Sequence, residues 1–171
     1  LKVDYRLSIA GAIGYAFSCY NFVILAAGHH SKSHAIALFP LVIAGVLMVY
    51  KKRWLFGGML TAVALALEIY ATHLQITYYL FITILVLSIF ELVSAIRQKE
   101  ILSFLKSSVI IGAAAGLSVV CNISNLWATE EYGKYSTRSQ SELEAKKVST
   151  GLDKDYATGW SYGKLESMTL L

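Results

Sequence analysis

Residues 77–96 read TYYLFITILVLSIFELVSAI, a run whose sole charge is Glu91. At about 1.5 Å of rise per helical residue, such a run covers the ~30 Å of hydrocarbon in a bilayer. Working outward, the same texture recurs in Trp54 to Thr72, Ala35 to Tyr50 and Ser8 to Ala27 on one side, and in Ser107 to Leu126 on the other. Short charged punctuation separates the runs. The whole chain of 171 residues is 56% hydrophobic and only 15% charged, with a mean hydropathy of +0.57. A soluble domain does not reach that balance. The expected fold is therefore all-α: a polytopic transmembrane helical bundle of about five spans over 1–127, followed by a polar and aromatic extracytoplasmic segment over 128–171.

Topology follows from the cations. Lys2, Arg6, Lys51, Lys52, Arg53, Arg97, Lys99 and Lys106 flank the runs on one side, and only Lys32 lies in the opposite loops. The positive-inside rule assigns the crowded side to the cytoplasm. The N-terminal end is then inside and the tail outside. The run Ala35 to Tyr50 is short and holds the only proline, Pro40, which a membrane helix tolerates when a neighbour satisfies the carbonyl it frees. Omitting this span would scramble the charge bias. The net charge of +4 is thus explained by topology, and nucleic acid is not an expected partner.

The chain starts at Leu1 without Met and stops at Leu171, so it is expected to be a piece of a longer polypeptide whose missing helices pack against these. No cleavable signal peptide is apparent, and sorting is by membrane insertion. Cys19 and Cys121 fall within apolar runs, where a small buried hydrophobe is the default, so neither a disulfide nor a metal cluster is expected.

Glu68 is the most informative residue. A carboxylate about one turn inside the outer end of a span costs about 3 kcal/mol on insertion scales and has to be compensated, usually by facing a bundle interior or a cavity. Helical spacing places Gly57, Thr61, Ala64, Glu68, Thr72 and Gln75 on one stripe, with Val63, Leu67, Tyr70 and Leu74 opposite. His73 and Gln75 end the same span on the outside. The sequence Gly28-His29-His30-Ser31-Lys32-Ser33-His34 forms an outer loop on the same membrane face. Together these groups suit a lipid-linked phosphate or sugar, with Lys32 on the phosphate and Glu68 or His73 in proton transfer. The plainer reading is an interfacial polar loop that binds nothing. His30 and His34 have the i, i+4 spacing of metal ligands, yet no third ligand accompanies them, and no metal site is expected. Glu91, near the cytoplasmic end of its span, reads as structural, reaching toward Arg97 or pairing with a neighbour.

Two small-residue series, Ser108/Gly112/Gly116 and Ala10/Gly14/Ser18, read as helix-packing faces, within this chain or against helices outside it. Asn122-Ile-Ser124 matches a glycosylation sequon but abuts the membrane and is discounted. In the tail, helices are expected around Ser141 to Lys147 and Asp153 to Tyr162, the second between Gly151 and Gly163. The tail interleaves Tyr132, Lys134, Tyr135, Arg138, Tyr156, Trp160 and Tyr162. Aromatics with cations suit sugars or lipid headgroups, and Lys134 and Arg138 are candidates for phosphate contact, although an ordered loop packing its aromatics is the simpler account.

Four strings carry a more specific signal: AGHHSKSHAIA (27–37), LEIYATHLQITYY (67–79), EYGKYSTR (131–138) and GLDKDYA (151–157). They resemble the bacterial YfhO family of membrane proteins, which looks like part of the GT-C glycosyltransferase superfamily. The resemblance spans nearly the whole chain. It implies use of a polyprenyl-phosphate sugar outside the cytoplasm and a catalytic acid in the first extracytoplasmic loop, upstream of Leu1. His29, Lys32, His34, Glu68, His73, Gln75 and Arg138 follow the family pattern. Asn-Thr often replaces His30-Ser31 there, and Gly often replaces Ser139, so His30 is dispensable and the turn after Arg138 differs. The implied function is sugar transfer to a cell-envelope polymer; the alternative is a lipid or polymer transporter or a non-catalytic membrane scaffold. Membrane lipids are expected partners in either case, and no cofactor is indicated.

Overall fold

A computed structural model describes residues 3–133 of the chain. The chain divides after Leu126 into two units, and every regular element among the described residues is an α-helix. The first unit holds α1 (Tyr5–Ala16), α2 (Cys19–Ala26), α3 (His30–Tyr50), α4 (Trp54–Tyr70), α5 (Leu74–Gln98) and α6 (Ile101–Cys121); α7 (Ile123–Gly133) follows. Four stretches, Tyr5–Ala26, His30–Tyr50, Leu74–Gln98 and Ile101–Cys121, are long and apolar enough to cross a bilayer, and Trp54–Tyr70 is a shorter apolar helix. Its 17 residues rise about 25 Å, at the lower limit for a span.

The outer surface is the reverse of a water-soluble protein's, and several polar side chains join the apolar interior. Leu55, Phe56, Phe90 and Val109 stand at least 70% exposed, whereas Thr61, Glu68, Ser107 and Ser118 are 1% exposed or less. Polar groups inside and large hydrophobes outside are what a hydrocarbon solvent favours. The molecule is a polytopic helical membrane protein.

Helices α3 to α6 run alternately up and down through turns of two or three residues. Lys52, Thr72 and Lys99 occupy these turns with positive φ (65°, 57° and 58°), the left-handed conformation that stops a helix and reverses the chain. The tightest crossing joins α3 to α4. A Cβ added at Gly45 would lie 2.7 Å from the Thr61 nitrogen, and one added at Gly57 would lie 2.6 Å from the Val49 nitrogen, so only glycine permits the two backbones to approach this far. Thr61 Oγ1 donates to the Gly57 carbonyl at 2.8 Å and needs no partner from elsewhere. Val42, Ala64 and Leu80 make the apolar centre. Helix α6 lies along α4 in the same direction: Ser118 Oγ is 2.8 Å from the Ala62 carbonyl and Asn122 Nδ2 donates to the Ala66 carbonyl at 3.0 Å.

Pro40 lies inside α3 and denies the Ile36 carbonyl its intrahelical donor. Tyr15 of α1 supplies the replacement, donating its hydroxyl to that carbonyl at 2.7 Å. The expected short span is in fact a helix of 21 residues.

Several expectations are corrected. Residues 30–34 are the first turns of α3, not a loop; Gly28 at φ +78° makes the turn, and His29 precedes the helix. The first run is broken at Phe17 and Ser18, where Asn21 Nδ2 donates back to the Tyr15 carbonyl at 2.9 Å. The last run starts earlier than Ser107 and stops at Cys121, because Asn122 turns its side chain onto the Ala66 and Ser118 carbonyls. Beyond that break the chain re-enters helix through Gly133. Gly14, Gly112 and Gly116 have open space where a Cβ would be, so these glycines make no close helix crossing among the described residues, although the Ser108 hydroxyl of the α6 series is buried. The buried face of α6 is instead Ser107, Ala114 and Ser118. The helices expected around Ser141 to Lys147 and Asp153 to Tyr162 lie outside the described residues.

Candidate functional site at the α4–α5 turn

The buried face of α4 is Gly57, Thr61, Ala64, Glu68 and Ile69. Val63, Leu67, Tyr70 and Leu74 are each about half exposed or more, in agreement with the spacing argument. The stripe ends at Glu68. Ala71 caps α4 and Thr72 turns left-handed, so Thr72 and Gln75 leave the stripe and are exposed. Thr72 is β-branched, and for such a residue a positive φ is strained. The strain sits between the two titratable groups of the turn.

Glu68 is completely buried. Its Oε1 accepts from Thr77 Oγ1 at 3.1 Å, which ties the end of α4 to the first turn of α5. Its Oε2 is buried with no hydrogen-bond partner, and so is His73 Nδ1. His73 precedes α5, and its carbonyl accepts from the Ile76 nitrogen at 2.9 Å. The last turn of α4 and the link to α5 therefore hold a carboxyl oxygen and an imidazole nitrogen that are both buried and both unsatisfied. Unpaired buried polar atoms are costly, about 1–3 kcal/mol each. Groups of this kind can pass a proton or hold a polar guest.

Other candidates are placed at the same end of the bundle, where α3 and α5 begin and α4 and α6 finish. Lys32 Nζ lies 5.2 Å from the centre of the Tyr20 ring, a cation–π contact within the N-terminal helices. His29, His30 and His34 are exposed, and Gln75 Nε2 donates to the Tyr79 hydroxyl at 3.0 Å. Among the described residues no hydrogen bond or ion pair joins this group to Glu68 or His73. Lys134 and Arg138 lie outside the described residues. No group of three or more His, Cys, Asp or Glu side chains could hold a metal ion among the described residues.

Sequence reasoning missed two participants. Thr77, which holds Glu68, reads as an ordinary first residue of an apolar run. Asn122 reads as a modification signal, yet it is 5% exposed and its amide nitrogen donates to both the Ala66 and Ser118 carbonyls, at 3.0 and 2.9 Å. That nitrogen is the atom a glycan would need. At the opposite end, Glu91 lines a polar cavity of about 130 Å³ with Tyr50, Gln98 and Glu100; it makes no ion pair with Arg97. The ion pair found at that end is Lys52 with Glu100, at 2.8 Å.

These features define a class: a helical membrane protein with a buried carboxyl and an imidazole at one interhelical turn. No family model, curated protein or solved structure matches the chain.

Proposed function

We propose that this is a YfhO-like protein of the bacterial inner membrane that transfers sugar from a polyprenyl-phosphate donor to a cell-envelope polymer on the extracytoplasmic side. The observation that carries the reading is the α4–α5 turn, where Glu68 Oε2 and His73 Nδ1 are buried without partners. The charge bias assigns that turn to the outer face, the side on which the resemblance implies that lipid-linked sugars are used. In this reading Glu68 and His73 contact the donor's phosphate or sugar and handle protons. Lys32, His29, His34, Gln75, Lys134 and Arg138 supply the surrounding polar surface, and the acceptor-activating acid comes from a loop outside these residues.

The test is envelope glycosylation in cells carrying Glu68→Ala, His73→Ala or Lys32→Ala in the full-length protein. The expected outcome is at least a tenfold loss for Glu68→Ala and His73→Ala with membrane levels maintained; a tenfold loss corresponds to about 1.4 kcal/mol of transition-state stabilisation. Unchanged glycosylation and unchanged expression would reject the site. The bond from Thr77 to Glu68 favours a second reading, a transporter or scaffold in which Glu68 fastens two helices or lines a path. Consumption of a polyprenyl-linked sugar by the purified protein in detergent distinguishes the two, since a transporter has no reason to consume it.

A further inference from the structure

A groove of about 510 Å³ runs along the seam between α4 and α6. Its lining is wholly apolar apart from one indole nitrogen: Gly58, Ala62 and Ala113 leave room, Met59 and Leu117 add bulk, and Trp54 stands where α4 begins. The indole is held in place there. Trp54 Nε1 donates to Ser107 Oγ at 3.3 Å, and Ser107 Oγ donates to the Val49 carbonyl at 3.2 Å. Over this fixed ring lies Lys106, its Nζ 3.5 Å from the ring centre. Arg53 immediately precedes Trp54, and both cations are exposed. Glu100, the nearest acidic residue in sequence to Lys106, is taken by Lys52, and neither Arg53 nor Lys106 has a carboxylate partner among the described residues.

An apolar trough lined by a tryptophan whose ring carries an ammonium group over it matches an amphiphile with a hydrocarbon tail and an anionic head. A protein helix in the same trough would have to bring a carboxylate to the depth of Lys106. We infer that the α4–α6 groove is a binding site for an anionic phospholipid, with one acyl chain along Gly58, Ala62 and Ala113 and the headgroup phosphate on Lys106 and Arg53. Trp54 then marks the level at which hydrocarbon meets headgroup, the usual depth of tryptophan in a membrane. The site lies at the opposite end of the helices from Glu68 and does not depend on the sugar-transfer reading.

The experiment is native mass spectrometry of the full chain released from nanodiscs of phosphatidylcholine doped with phosphatidylglycerol. A cation at the membrane surface favours an anionic lipid about fivefold, so retained phosphatidylglycerol is expected to exceed its share of the bilayer by at least that factor. Lys106→Gln should remove about fivefold of the preference, and Lys106→Arg should keep it. Ala113→Phe, which fills the trough, should release both lipids. Should that variant fail to fold, the milder Ala113→Cys carrying a fluorophore, in a chain whose exposed Cys19 and Cys121 have been replaced, serves instead: quenching by a lipid with a nitroxide on its acyl chain supports the site. Equal retention of the two lipids, or an unchanged preference in Lys106→Gln, overturns the inference. So does a fluorophore at position 113 that the nitroxide lipid cannot reach, because a protein segment then fills the groove.

Discussion

Pro40 and Tyr15 show how one residue's deficit is met by another. The Ile36 carbonyl loses its helical donor to the proline ring and accepts the Tyr15 hydroxyl instead. Tyr15→Phe is therefore expected to destabilise the protein by about 1 kcal/mol, within the range measured for hydrogen bonds between membrane helices. In a Pro40→Ala background the backbone donor returns, and the same tyrosine change should cost close to nothing. Thermal unfolding of the four variants in detergent, treated as a double-mutant cycle, checks this, and equal tyrosine effects in the two backgrounds would show that the bond is idle. The need was legible in the sequence, because proline always frees the carbonyl four residues back. Its solution was not, since Tyr15 is remote in the chain. Glu68 divides in the same way: its cost and its facing direction follow from residue type and helical period, whereas Thr77 and the empty Oε2 are facts of contact between two helices.

At the scale of helices, the glycines separate into two kinds that composition cannot tell apart. Gly45 and Gly57 sit where α3 and α4 touch backbone to backbone, and Gly112 and Gly116 face open space. Gly45→Ala or Gly57→Ala is expected to force the helices apart at a cost of about 1–3 kcal/mol, the usual range for overpacking. Gly112→Ala and Gly116→Ala should be neutral or stabilising by up to about 1 kcal/mol, because alanine is the better helix former. Thermal melts of the four single variants in one detergent decide the matter, and equal losses at all four positions would contradict the packing described. Spacing by fours was a sound guide to α4, where the period meets a real neighbour. On α6 it picked out a face that is open among the described residues, while Ser107 and Ser118 face the bundle, Ser107 bonded to the Val49 carbonyl of α3 and Ser118 to the Ala62 carbonyl of α4, because two faces of that helix carry small residues.

For the whole molecule, the alternation of α3 to α6 puts the turns at Lys52 and Lys99 on one side of the membrane and the turn at Thr72 on the other. With the basic turns in the cytoplasm, a cysteine at Thr72 should react with an impermeant maleimide added to intact cells. Cysteines at Lys52 or Lys99 should react only after permeabilisation. Cys19 and Cys121 are free and exposed and have to be replaced first. Labelling of all three from one side would refute the alternation, and a reversed pattern would move Glu68 and His73 to the cytoplasmic face and remove the support for an extracytoplasmic sugar donor.

Sequence alone determined that this protein is helical and membrane-embedded, roughly where its spans lie, which turns share a side, and that Glu68 faces inward. Each of these follows from local composition and a fixed helical period, read against the thickness and apolarity of lipid. Tertiary structure alone decided which glycines touch, that Tyr15 completes the proline-bearing helix, that Asn122 ties α6 to α4, and that Glu68 meets Thr77 while Lys32 meets Tyr20. Those outcomes depend on which faces of distant helices come together, and in a bilayer, where apolar faces gain little by choosing one neighbour over another, close packing and single hydrogen bonds make the choice.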